Sequence, residues 1–338
     1  MFGAAFVTAV AFVLAACGAG ASGDANPAVT PGGDAAPLSV LTSFYPLQFV
    51  AQQVAGNLAT VTNLTPPAAD PHELELSIAA ARQVGTADLV VTLTGFQPAV
   101  DSAVATQNPQ RVVDAAEIVS LLPAVAGDDD HSHDDHDDHD DHDDDDDHDH
   151  ADDDHGHVHS IGGYDPHFWL DPTKLAQLAE PIADALSEAD PANAETFHQN
   201  AAKLVQRLNE LDQQFQTELA PFRGSKLVTS HTAFQYLASR YGLEQVGITG
   251  FDHDIEASPA RLREIRQIVE DNQVRTIFYE SLTNPAIVQT LASDIGVNAA
   301  EINTLEGLTT AELNAGEDYF SVMERNLATL VANLNAPN

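Results

Sequence analysis

From Pro191 to about Leu219 the chain carries apolar residues at Phe197, Leu204, Leu208, Leu211 and Phe215, the spacing of one helical face. A helix of that span is roughly 43 Å long at about 1.5 Å per residue. Short β-branched runs alternate with helical patterns on both sides of it, so it reads as a rigid spine between two α/β lobes. Before it, Leu38–Thr42, Thr60–Leu64, Asp88–Leu93 and Arg111–Val113 read as strands. Pro46–Gly56, Ser77–Ala87, Pro98–Gln107 and Pro172–Ala189 read as helices. After it, strands are expected at Lys226–Thr229, Val246–Thr249, Arg275–Tyr279 and Val297–Ile302. Helices are expected at Thr232–Tyr241, Ser258–Asn272, Pro285–Ile295 and Ala315–Leu334. Strand–helix–strand order predicts a mainly parallel sheet flanked by helices in each lobe. The expected boundaries are 38–190 for the first lobe, 191–220 for the linking helix and 221–338 for the second lobe.

One stretch cannot join either core. Asp128 to His159 holds 10 histidines and 18 aspartates in 32 residues, too little apolar area to offset the entropy of ordering it, so a disordered loop is expected. Neutral imidazole suits zinc and similar ions, so such a tract reads as a cluster of weak metal sites. Taking those 18 aspartates from the net charge of −39 leaves −21 for the other 306 residues. A chain that acidic favours cations over nucleic acid.

Residues Phe2 to Ala16 are apolar apart from Gly3 and Thr8, the length of a signal-peptide core and too short to span a membrane. The run ends Leu14-Ala15-Ala16-Cys17-Gly18, which resembles the lipobox of bacterial lipoproteins. The resemblance implies a signal peptide over 1–17 and lipid attachment at Cys17, the single cysteine. Gly18 to Pro37, rich in Gly, Ala, Asp and Pro, reads as a flexible tether. An exported protein, lipid-anchored to the outer face of the bacterial cell membrane, is the expectation.

Outside the tract five histidines remain: His72, His167, His198, His231 and His253. Three of them, His72, His167 and His231, sit where a strand or loop gives way to a helix. Ligands of open α/β sheets bind beyond the carboxyl ends of strands, so these three are candidate ligands for a divalent transition metal. His198 lies within the spine and reads as an ordinary helix residue, His253 as a polar loop residue, and Trp169 as core packing.

Three motifs carry a family resemblance. Pro71-His72-Glu73-Leu74-Glu75-Leu76-Ser77, Asp165-Pro166-His167-Phe168-Trp169-Leu170-Asp171-Pro172 and Thr229-Ser230-His231-Thr232-Ala233-Phe234-Gln235-Tyr236 are similar to those of the metal-binding lipoproteins of ABC importers, the cluster A-I or zinc-uptake A family. The first departs from the family pattern, with Leu74 and Leu76 where it has Tyr and Pro. The likeness runs from Leu38 to Leu334. It implies Zn²⁺ held between the lobes, with Mn²⁺ the lesser alternative because a third histidine marks zinc importers. The family's Asp-Pro-Leu after the last strand is Asn303-Thr304-Leu305 here. Glu306 is therefore the candidate fourth ligand, with Glu280 second and Asn303 or water as other fillers.

The resemblance implies a monomeric, non-enzymatic carrier that passes zinc to an ABC permease driven by a cytoplasmic ATPase. Imidazole ligation predicts affinity that weakens below roughly pH 6. Three histidines with an open fourth position also describe a zinc hydrolase, although no HExxH helix is present. A metal-buffering surface adhesin is a further alternative.

Overall fold

The structure is a computed structural model that describes residues 37–124, 163–249, 258–282 and 284–336. The leader with Cys17, the tether up to residue 36, the tract at 128–159 and His253 lie outside the described residues.

The first lobe runs β1 (Leu38–Thr42), α1 (Tyr45–Ala55), β2 (Ala59–Asn63), α2 (Ile78–Val84), β3 (Leu89–Thr92), α3 (Pro98–Gln107) and β4 (Val112–Asp114). Its strands are parallel, in the order β2-β1-β3-β4. Every residue of β3 is buried, which is why its sequence is a continuous apolar run rather than an alternating one. A one-turn helix, α4 (Ala115–Ile118), follows under an Asp114 cap. Four residues are too few to show a helical period, so the sequence does not announce it.

The single helix expected from Pro172 to Ala189 is instead α5 (Pro172–Leu175), a 3-10 turn at Ala176–Leu178, and α6 (Ala179–Ala189). Pro181 explains the break: its nitrogen cannot donate to the carbonyl of Gln177, so an uninterrupted ladder of i to i−4 bonds cannot pass through it. The spine is α7 (Ala194–Leu219), 26 residues entered through a 3-10 turn at Pro191–Asn193. Phe197, Ala201, Leu204, Leu208, Leu211, Phe215 and Leu219 recur every three or four residues and are all buried. They lie against α1, α5 and α6 of the first lobe.

The second lobe runs β5 (Lys226–Thr229), α8 (Gln235–Tyr241), β6 (Glu244–Gly247), α9 (Pro259–Asp271), β7 (Thr276–Glu280), α10 (Ala286–Ile295) and β8 (Asn298–Ile302). It closes with α11 (Thr310–Ala315) and α12 (Tyr319–Asn333). The order β6-β5-β7-β8, again parallel, repeats that of the first lobe. β6 begins two residues earlier than expected. Gly242, at φ 76°, ends α8 in the left-handed region and lets Glu244 pair with Lys226 at once. The last helix begins at Tyr319 rather than Ala315: Gly316 ends α11 at φ 76°, and Asp318 and Ser321 form a capping box for α12.

One face of each sheet opens on a common core. Phe44, Leu47 and Phe168 from the first lobe, Phe215 of the spine, and Phe234, Phe278 and Tyr319 from the second belong to one continuous cluster. The opposite faces carry smaller separate clusters, around Val84, Val90 and Val100 in the first lobe and Ile265, Val269 and Ile277 in the second. Among the described residues no helix is long and apolar enough to cross a membrane.

Candidate metal centre

His72 and His167 reach the cleft by the same local device. Each is the third residue of an Asp-Pro-His step. The Asp70 carboxylate accepts the backbone N–H of His72 at 2.8 Å, and that of Asp165 accepts the N–H of His167 at 2.9 Å. An aspartate that bonds the backbone two residues on closes an Asx turn, and the intervening proline restricts φ, so a loop histidine acquires a fixed direction. The Phe96 ring meets that of His72 edge-on at 4.7 Å. His167 opens the 3-10 turn Phe168–Leu170 and lies wholly buried.

The second lobe works from strand ends. His231 lies two residues beyond β5, and Glu280 is the last residue of the adjacent strand β7. Glu280 Oε1 accepts from Ser230 Oγ at 2.6 Å, the His231 backbone N–H at 3.3 Å and His231 Nδ1 at 2.5 Å. Glu306 stands four residues beyond β8 in a tightly held loop. Asn303 Oδ1 accepts from Leu305 N at 2.7 Å, which is how Leu305 is held at φ 59°. Asn326 exchanges two bonds with the Asn303 backbone, and Trp169 Nε1 of the first lobe donates to the Thr304 carbonyl at 2.7 Å. Trp169 is fully buried core, as expected, and also grips the loop that carries Glu306.

Three imidazoles converge on one carboxylate oxygen. Nε2 of His167, His72 and His231 lie 3.0, 3.4 and 3.9 Å from Glu306 Oε1. Ligands about 2.0–2.1 Å from a tetrahedral zinc stand roughly 3.3 Å from one another, so the spacing brackets that of a four-coordinate ion. His231 and His167 are fully buried, Glu306 is 4% exposed and His72 8%. The deeper imidazoles each have a carboxylate behind them, His167 Nδ1 on Asp165 at 2.7 Å and His231 Nδ1 on Glu280. An ionised carboxylate can only accept, so Nδ1 carries a proton and Nε2 is the nitrogen that faces the centre, its lone pair free for a metal once any proton there has left.

Burial alone would push the His167 imidazole down; the Asp165 and Glu306 carboxylates outweigh it and push it up to about 10. Burial works on Glu306 in the opposite sense, and hydrogen bonds from His167 and His72 overcome it to hold the carboxyl well below its usual range. A metal-free centre at neutral pH therefore holds a proton where a cation would stand.

The other two residues considered for the fourth position face elsewhere. Glu280 sits behind His231, on the Nδ1 side away from Glu306, because β7 runs beside β5 and delivers it there. Asn303 is turned to Leu305 N and to Glu312 Oε1 at 3.1 Å. His198 is a partly exposed residue of α7, bonded to Glu180 at 2.9 Å with Asp184 nearby, and is not among the groups that meet Glu306. The supporting roles of Asp165 and Glu280 were missed from sequence. The repeated Asp-Pro-His step was a usable signal for the first; nothing local marks the second.

A family model described as zinc-uptake complex component A, periplasmic, matches residues 40–333. The zinc-binding lipoprotein AdcA of Streptococcus pneumoniae is 35% identical over 299 residues, which make up 87% of this chain and 55% of the relative. The chain thus spans about half the length of the AdcA relatives it matches. The high-affinity zinc uptake system protein ZnuA of Bacillus subtilis is 31% identical over 330 residues, covering 96% of this chain and 95% of the relative. The crystal structure of the Zn(II)-bound ZnuA-like domain of S. pneumoniae AdcA superposes with a TM-score of 0.69 at 33% identity, over 88% of this chain and 98% of that one. The metal-dependent lipoprotein YcdH of B. subtilis gives a TM-score of 0.69 at 28% identity, over 88% and 99%.

Proposed function

The chain belongs to the family of zinc-uptake complex component A, and from that membership and the geometry of its cleft we propose that it captures Zn²⁺ outside the cytoplasm for delivery to an ABC permease. The ion is cargo, held by Nε2 of His72, His167 and His231 and by a carboxylate oxygen of Glu306. The observation that carries the reading is the convergence of those three nitrogens on Glu306 Oε1 within 3.0–3.9 Å. Two lobes each supply two of the four groups, so an ion bound there joins both halves.

Three imidazoles favour zinc over manganese, whose preference is for harder oxygen ligands. Glu306 occupies the fourth position, where a hydrolytic zinc would keep water, so a carrier is preferred to a hydrolase. Lipid attachment at Cys17 after export, action as a monomer, and loading of the 128–159 tract with weakly held zinc complete the proposal. The neck that flanks the tract is closed by Ala124 N to Gly163 O at 2.8 Å, so a chain without 128–159 keeps both strands of the neck.

The test is titration of the full chain and of a chain lacking 128–159 with zinc and with manganese. One tight zinc site should persist in both, with manganese weaker. Loss of the tight site on deletion, or its absence from the full chain, would refute the assignment.

A further inference from the structure

Leu122–Ala124 and Gly163–Asp165 form a short antiparallel neck around the Pro123–Tyr164 bridge. Ala124 N donates to Gly163 O at 2.8 Å and Asp165 N to Leu122 O at 2.9 Å. In a regular antiparallel ladder Leu122 and Asp165 would exchange both bonds. Here the second is interrupted. The Leu122 N–H donates instead to the hydroxyl of Tyr236 at 2.7 Å, and that hydroxyl donates to the Asp165 carbonyl at 2.8 Å. A single side-chain oxygen from the second lobe is wedged into the ladder of the first, where the chain departs toward Pro166 and His167.

Both ends of this wedge lead to the metal centre. Asp165 is the residue whose carboxylate holds His167 by its backbone N–H and by Nδ1. Tyr236 is the second residue of α8, five residues after His231, in the segment that carries that histidine. The tyrosine is 1% exposed, and Lys174 lies over its ring at 5.4 Å while donating to Ser120 O. Its position is therefore set by the core rather than by the hydroxyl's own bonds.

We propose that Tyr236 is a positioning residue whose hydroxyl, inserted between Leu122 N and Asp165 O, sets the separation of His167 from His231 across the two lobes. This rests on the zinc site proposed above. Without the hydroxyl the two backbone groups either pair directly, drawing Asp165 and His167 toward Leu122, or stay buried without their partner. The first moves His167 relative to His231, and the second leaves two buried backbone groups unpaired beside Asp165, which loosens the hold on His167. The coupling is reciprocal: whatever factor the hydroxyl contributes to zinc affinity, bound zinc must return to the neck as resistance to opening.

The experiment compares the full-length wild type with Tyr236→Phe and Gln235→Leu. Gln235 grips the same neck through Pro123 O at 3.2 Å without touching Asp165. Zinc affinity is read by chelator competition, and ligand geometry by the visible spectrum of bound cobalt(II). Tyr236→Phe should lose roughly tenfold or more in zinc affinity, the range for removing an outer-shell partner, and alter the cobalt bands. Gln235→Leu should stay within about twofold of wild type on both readouts. In the wild type, zinc should slow amide exchange at Leu122 by a similar factor. A folded Tyr236→Phe with wild-type affinity and cobalt spectrum, or equal losses in both variants, overturns the proposal. If Tyr236→Phe does not fold, Leu122 exchange that ignores zinc overturns it instead. A wild type that binds no zinc removes the parent reading and this one together.

Discussion

The two lobes share one strand order but present their metal-facing groups by different means. The first lobe uses long loops, and pins each histidine with an aspartate and a proline immediately before it. The second sets His231 and Glu280 at or just past the ends of adjacent strands, so the sheet itself supplies the precision. Glu306, the most loop-like group of the second lobe, needs Asn303, Asn326 and Trp169 to hold it. A side chain close to a strand end inherits its direction from the ladder. A side chain far from one requires local hydrogen bonds of its own.

The sharpest way to break this comparison is to remove one imidazole from each lobe. His167→Ala and His231→Ala should each lower zinc affinity on the order of a hundredfold to a thousandfold, about a quarter of the ~10–16 kcal/mol typical of a four-ligand zinc site. Competition titration would measure it, and a loss below about tenfold for either would remove that lobe from the site.

Next come the carboxylates behind the rings. Asp165→Asn keeps an oxygen for the Asx turn while discharging the group behind His167, and Glu280→Gln does the same behind His231. Each should cost roughly tenfold to a hundredfold in affinity. Should Asp165→Asn prove harmless while Glu280→Gln does not, the first lobe would depend on its turn alone.

Proton competition sharpens the comparison at the shared centre. With His167 pushed up to about 10, zinc must displace its proton at neutral pH, so affinity should climb with pH, about tenfold per unit for that proton, up to about pH 10. This extends the competition well above the pH 6 suggested by free imidazole. Calorimetry in buffers of different ionisation enthalpy should count about one proton released from His167 at pH 7. The stability of the metal-free protein has the opposite dependence. The raised His167 contributes fully below its ordinary 6.5 and loses that contribution as pH rises through about 10. The depressed Glu306 contributes above its ordinary 4.5 and loses it as pH falls. Thermal midpoints of the metal-free protein that increase between pH 7 and 10 would contradict this.

The smallest effect belongs to the loop device. Pro71→Ala restores freedom to the unfolded chain and should cost about 0.4–1 kcal/mol in urea unfolding. A cost several times larger would mean that the proline holds the His72 turn more firmly than Asp70 does.

Much of this was legible in the chain. The continuous apolar run at β3 and the three- and four-residue spacing along α7 report burial directly, because each residue's neighbours in sequence are also its neighbours in the element. The division of the last helix at Gly316 and of the Pro172 segment near Pro181 was less visible, since a single residue ends each element inside an otherwise helical pattern. Glu306 could be named as a candidate from its place after the last strand, but Glu280 could not be assigned its side of His231.

The amino-acid order determined two parallel-sheet lobes, a long amphipathic connection, and three histidines each in a stretch where a strand or loop gives way to a helix, because periodicity and turn chemistry act over a few residues. Which groups would share one ion was decided only by tertiary packing. His72 and Glu306 are 234 positions apart, and nothing local relates them. The fused core brings their loops together, and adjacent strands β5 and β7 turn Glu280 into a support for His231. Distance in space, which sets both hydrogen bonding and coordination, is a property of the folded chain alone.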